Sequence, residues 1–149
     1  MPSTAVKLQI EEAVMSTAGI AARLHGEAIE QLSVAIGAIE AGDVEARCQA
    51  INLAVEMVTT LHLALDFEEG GETAERMGAI YRFVLASLFR TNIGNDAALA
   101  GKLINVLRPL HDAWAAVSRV VDEAGEEAAD HNFMNRLEGA SRNAEAAAL

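Results

Sequence analysis

Leu65-Asp66-Phe67-Glu68-Glu69-Gly70-Gly71-Glu72-Thr73-Ala74 interrupts a chain that otherwise carries one helical pattern after another. The doubled glycine cannot sit comfortably inside a helix, because glycine gains conformational freedom on unfolding and has no side chain to pack. Asp66 to Gly71 therefore reads as the end of a second helix. Glu72, Thr73 and Glu75 open a third, with negative charge in the first turn where the macrodipole favours it. Once this stretch is a hairpin between helices, the patterns on either side fall into place.

Upstream, Ile20, Leu24, Ala28, Leu32, Ala35, Ile36 and Ile39 recur at three- and four-residue spacing and predict a helix over Thr17–Ala41. Gly42 suits a left-handed helix end, and Asp43 can cap the helix that starts at Val44. That helix has Val44, Cys48, Ile51, Val55, Val58 and Leu65 on one stripe, with Leu53, Met57, Leu61 and Ala64 beside it. The second line implies either burial on two sides or an exposed apolar groove, and the pattern alone favours burial. Downstream, Ala74, Met77, Tyr81, Val84 and Leu88 define the third helix, which ends around Thr91-Asn92-Ile93-Gly94. Asn95-Asp96 can cap a fourth, running from Ala97 through Leu103, Leu107, Trp114 and Val121, with a kink expected near Asn105 from Pro109.

Four helices of about twenty residues joined by short connections predict an all-α, antiparallel, up-down-up-down four-helix bundle. A short amphipathic helix over Val6 to Met15 precedes it, and after Asp122 an acidic, alanine-rich tail is expected to be partly disordered. The division is 1–16, 17–122 and 123–149.

The composition agrees with helices packed by aliphatic side chains: 52% hydrophobic, 4% aromatic and two prolines. A formal charge of −11 opposes binding to phosphate backbones and anionic lipid, so no nucleic-acid partner and no membrane insertion are expected. The acidity also serves solubility. The single cysteine, Cys48, excludes an intramolecular disulfide and suits a reducing, cytosolic compartment. No export signal or membrane span is evident.

Catalysis finds no support. The inward Glu-x-x-His pairs of di-iron bundles are missing, because Ala22, Thr59, Arg108 and Ala128 stand three positions before His25, His62, His111 and His131. His62 and Asp66 share a helix face, but two ligands do not make a metal site. No phosphate loop or nucleophile elbow occurs. Neither an enzyme, a cofactor nor a metal is expected. Histidine-phosphotransfer domains are also four-helix bundles, and Arg23-Leu24-His25-Gly26-Glu27 makes His25 the candidate for that alternative, although Glu27 puts the wrong charge beside a phosphoryl group.

Taken together, Gly42-Asp43-Val44, Leu65-Asp66 with Gly70-Gly71-Glu72-Thr73-Ala74, Ile80-Tyr81, Thr91-Asn92 with Asn95-Asp96, and Leu107-Arg108-Pro109-Leu110-His111-Asp112-Ala113-Trp114 resemble the flagellar secretion chaperone family, FliS, in order and spacing. The resemblance spans roughly Ala13 to Val117. It implies a cytosolic bundle without ATP chemistry that binds the disordered C-terminal segment of flagellin, prevents premature polymerisation and aids delivery to the flagellar type III export gate. It also promotes the second apolar line to a candidate client groove: Leu53, Met57, Leu61 and Leu65 with Tyr81 and Leu85, and Leu8 and Ile10 as a displaceable N-terminal cap. The chain departs from the family pattern where His25 replaces an aromatic and where the N-terminal segment lacks tyrosine. A different client, and a homodimer, stay open as alternatives.

Overall fold

The computed structural model describes residues 17–124 and 126–148, and the side chains among them except those of 121–136. Five helices follow in order: α1 (Thr17–Ala41), α2 (Val44–Leu63), α3 (Phe67–Gly94), α4 (Ala97–Ala124) and α5 (Glu126–Ala148). The first four form the expected all-α bundle. α1 packs most extensively on α4, α2 on α1 and α3, and α3 reaches α4 and α5 more lightly, while α5 lies chiefly along α4. Among the described residues, α1 and α3 thus face each other across the diagonal.

The helix ends follow the capping chemistry of the sequence. Gly42 takes a positive φ of 70°, and Asp43 accepts from the Ala46 amide at 3.1 Å. Asn95 adopts the left-handed conformation that closes α3, with its amide on the Thr91 carbonyl, and Asp96 accepts from the Leu99 amide at 3.0 Å to start α4.

The decisive stretch is subtler than a hairpin loop. α2 ends at Leu63, earlier than expected, and Asp66 does not close that helix. Its carboxylate instead accepts from the Glu68 and Glu69 amides, each at 3.0 Å, and so caps a single turn that belongs to α3. Gly71, at φ 51° and ψ −129°, then breaks the helical path, and only after it does the long segment begin. A Cβ on Gly70 would come within 2.7 Å of the Ala74 Cβ. One glycine allows the reversal and the other the close approach.

Of the stripe expected on α1, Ala28, Leu32 and Ala35 are buried, while Ile20, Leu24, Ile36 and Ile39 are only half-buried. The buried positions of α1 are Ala18, Ala21, Ala22, His25, Ala28, Leu32, Ala35 and Ala38. The small side chains face inward because they let α1 approach α4 closely; larger ones flank the contact. At Gly26 the approach is such that an added Cβ would lie 3.4 Å from the His111 ring.

α4 is continuous over Ala97–Ala124 with Pro109 inside it. One further expectation is corrected. The tail expected to be partly disordered forms α5, because Leu137, Ala140, Ser141 and Ala144 fall at helical spacing and are all buried. Alanine at three-to-four-residue spacing gives a flat ridge that seats against a neighbouring helix. The segment expected as a short N-terminal helix, Val6 to Met15, lies outside the described residues.

Candidate functional site

At the end of the bundle where α1 begins, α2 finishes and α3 opens, a cleft of about 480 Å3 is lined by Thr17, Ala21, Leu61, Leu65, Met77, Tyr81, Trp114 and Leu137, with Asp66, Glu69 and Thr73 among its polar residues. All five helices contribute. The volume lies within the ordinary range of small-ligand and peptide side-chain pockets, and the apolar lining with few polar groups is what such sites share.

The six residues of the expected groove separate into three environments. Leu61 and Tyr81 belong to the core, Tyr81 being only 1% exposed, yet both also line the cleft. Leu65, Met57 and Leu85 are half-buried and packed against the core, and of these only Leu65 reaches the cleft. Leu53 stands out from α2 at 40% exposure. Of the six, Leu61, Leu65 and Tyr81 line the cleft, and Leu53, Met57 and Leu85 do not. Leu8 and Ile10 lie outside the described residues, but the described chain begins at Thr17, on the cleft wall. Trp114 and Leu137 were not foreseen as wall residues. Trp114 has helical spacing with Leu110 and Val117, which marks the inner face of α4 without telling that the face ends in an opening.

Beside the cleft, a polar bridge crosses the bundle diagonal from α1 to α3. His25 is completely buried, with Nδ1 2.7 Å from the Ala21 carbonyl and Nε2 2.9 Å from the Tyr81 hydroxyl. A carbonyl only accepts, so Nδ1 carries the proton and donates; Nε2 is the acceptor for the tyrosine hydroxyl. Burial lowers the histidine pKa to about 4, outweighing the opposing effect of the Ala21 hydrogen bond, and the neighbouring His111 pushes the same way as burial. Burial raises the Tyr81 pKa above its ordinary value. The pair is neutral at pH 7. His62 of α2 completes the cluster, its ring edge-on to Tyr81 with centroids 6.5 Å apart.

This arrangement corrects the phosphotransfer alternative. A phosphoryl acceptor must meet a donor in solvent, and His25 is sealed between helices with both ring nitrogens engaged. Cys48, half-buried at the start of α2, has its sulfur 3.6 Å from Asn92 Oδ1. Among the described residues, no group of three His, Cys, Asp or Glu side chains gathers to hold a metal, and no helix is long and apolar enough to cross a membrane.

Comparison with known proteins bears on what such a cleft serves. The family model described as flagellar protein FliS matches residues 3–121. The chain is 25% identical over 91 residues to the flagellar secretion chaperone FliS of Vibrio cholerae, covering 61% of this chain and 67% of that protein. It is 30% identical over 90 residues to the flagellar secretion chaperone FliSB of Pseudomonas aeruginosa, covering 60% and 71%. With the flagellar secretion chaperone FliS of Salmonella typhimurium it shares 31% over 81 residues, 54% of this chain and 60% of that one.

Proposed function

The chain belongs to the FliS family of flagellar proteins, and from that premise we propose that it is a non-enzymatic, cytosolic secretion chaperone that binds the disordered C-terminal segment of flagellin, keeps it from polymerising and aids its delivery to the type III export gate. The observation that carries this reading is the apolar cleft, walled by all five helices in a protein whose matched relatives are named as secretion chaperones.

A segment that is disordered until it assembles can fold its amphipathic helices against an apolar surface. Ordering it costs about 2–5 kcal/mol of the gross interaction, so the client must bury more area than the cleft alone offers. Leu61, Leu65 and Tyr81 supply the anchoring pocket in this reading; Leu53, Met57 and Leu85 extend the contact along α2 and α3. Leu8 and Ile10 act as the cap. In this reading a client displaces them; the first described residue, Thr17, lines the cleft.

The test is calorimetric titration of the full chain with the C-terminal segment of flagellin from the same organism. Binding should show a large negative heat-capacity change, and Leu65→Glu, at a half-buried site on the cleft, should weaken it by at least about tenfold, a difference of about 1.4 kcal/mol. Absence of binding by the intact chain would overturn the flagellin assignment; binding unaffected by Leu65→Glu would remove the cleft from it.

A further inference from the structure

Seven large apolar side chains stand exposed among the described residues, and six of them, Val44, Leu53, Leu63, Phe67, Phe89 and Ile93, are on α2 or the opening and closing turns of α3. Single exposed apolar residues need no explanation. Phe89 and Ile93 do, because at 68% and 70% exposure they stand four residues apart on one helix, in line with the exposed Arg82 and Ala86. This face lies opposite the buried stripe of Met77, Tyr81, Val84, Leu88 and Thr91, so α3 has apolar surface on both sides.

The charge along it is as unusual as the exposure. The chain has 22 acidic and 11 basic residues, yet from Arg76 to Asn95 there are three arginines and no carboxylate. Arg76 is taken up by Glu72 at 3.7 Å and Glu145 at 3.5 Å. Arg82 and Arg90 are exposed and have no such ion pair among the described residues. Arg82 lies back over Gly78, where an added Cβ would meet its Nη1 at 3.1 Å and the Phe67 ring at 3.4 Å, so Phe67 continues the face toward the start of the helix. At the other end, Arg47 donates to Asn92 Oδ1 at 3.0 Å and to Asn95 Oδ1, which fixes Val44 at the same end of the α2–α3 pair as Ile93. From Gly78 to Ile93 the face runs about 22 Å, at 1.5 Å per residue.

We propose that this basic, apolar face of α3 docks an acidic amphipathic helix of a partner protein, about four turns long. The fit is one of charge as well as shape. In a protein of net charge −11, two exposed arginines here flank exposed apolar side chains with no carboxylate between them, so this face complements an acidic helix. An apolar stripe at three- and four-residue spacing on the partner would meet Phe89 and Ile93, and its flanking glutamates would meet Arg82 and Arg90. An anionic membrane is a poorer match, since two exposed arginines on an acidic protein fall short of the basic cluster that such surfaces attract. The face uses none of the cleft residues. It stands whether or not the cleft binds flagellin.

The test uses the full chain and two synthetic sixteen-residue amphipathic helices that share a leucine stripe, one with glutamates on its polar face and one with lysines, followed by fluorescence anisotropy at physiological ionic strength. The glutamate peptide should bind, and should lose about tenfold or more in affinity to Phe89→Ala/Ile93→Ala and to Arg82→Glu/Arg90→Glu. The arginine variant should gain affinity for the lysine peptide. Since all four positions are exposed, the variants should melt with the parent, and circular dichroism checks that they do. No binding of the glutamate peptide, or binding that ignores both variants, overturns the proposal. So does a concentration-dependent dimer in sedimentation that Phe89→Ala/Ile93→Ala abolishes, which would give the face to a second copy of the chain.

Discussion

His25 shows how one buried residue couples the fold to pH. Its folded pKa, about 4, lies below the ordinary 6.5, so between these values the unfolded chain binds the proton and the folded chain refuses it. Stability is therefore complete above pH 6.5, falls as the pH drops toward 4 and loses nothing more from this group below that. The size is on the order of 3 kcal/mol. In His25→Phe that pH-dependent part should vanish, read as a smaller drop in melting temperature between pH 7 and pH 4.5 than the parent shows. At pH 7 the same variant strands the Tyr81 hydroxyl, at a cost of about 1–3 kcal/mol. Tyr81→Phe should cost about 1 kcal/mol alone and almost nothing on top of His25→Phe, because their 2.9 Å hydrogen bond is shared. Additive losses in the cycle, or an unchanged acid slope in His25→Phe, would sink this account. The sequence placed His25 within α1 but not at its buried centre, since a histidine among alanines carries no hydrophobic signal of its own.

At the scale of the elements, the sequence was most legible where side chains act on their own backbone. Asp43 and Asp96 cap the helices they were expected to cap, and Gly42 takes the left-handed turn, because capping needs only neighbours in sequence. Where packing decides, the pattern misled. Ile20, Leu24, Ile36 and Ile39 outweigh the alanines in any hydrophobic stripe, yet the buried line of α1 is mostly alanine, with His25 and Leu32 among it. Which residues of the expected client groove lie open was not legible either: periodicity gives the face of each helix, and only the packing of all five tells that Tyr81 is sealed while Leu53 is open. Gly70-Gly71 marked a break correctly, but not that Asp66 belongs to the helix after it. Two glycine replacements separate these influences. Gly71→Ala must hold φ 51°, ψ −129°, and should destabilise by on the order of 1–3 kcal/mol. Gly37→Ala lies mid-helix with nothing within 4 Å of the new methyl, and should stabilise by about 0.5–1 kcal/mol. Equal effects in denaturant unfolding would show that Gly71 is not held by its backbone.

At the scale of the whole molecule, α5 is where cover and stability meet. Among the side chains the structure describes, α5 is seated by Leu137 and by the small Ala140, Ser141 and Ala144, with the pair Arg76–Glu145 tying it to α3 at 3.5 Å. Burying Leu137 contributes about 1.5–3 kcal/mol and each alanine methyl about 0.8, while the ordering of a helix of 23 residues works against them. An ion pair of this exposure adds about 1 kcal/mol at most. On these described contacts we expect α5 to open first, as a unit below the global unfolding free energy. Because Leu137 is also a wall of the cleft, each opening of α5 widens the cleft and bares Tyr81 and Met77. A chain ended after Ala124 should therefore stay helical and folded, melt at least several degrees lower, on the scale of about 2–4 °C per kcal/mol for this size, and bind a dye that reports exposed apolar surface more strongly than the full chain. Hydrogen exchange on the intact protein should find the amides of 137–148 exchanging through a lower-energy opening than those of α1 and α4. A shortened chain that melts with the parent and binds no more dye would mean that the other four helices close the cleft unaided, and that the fifth contributes neither stability nor cover.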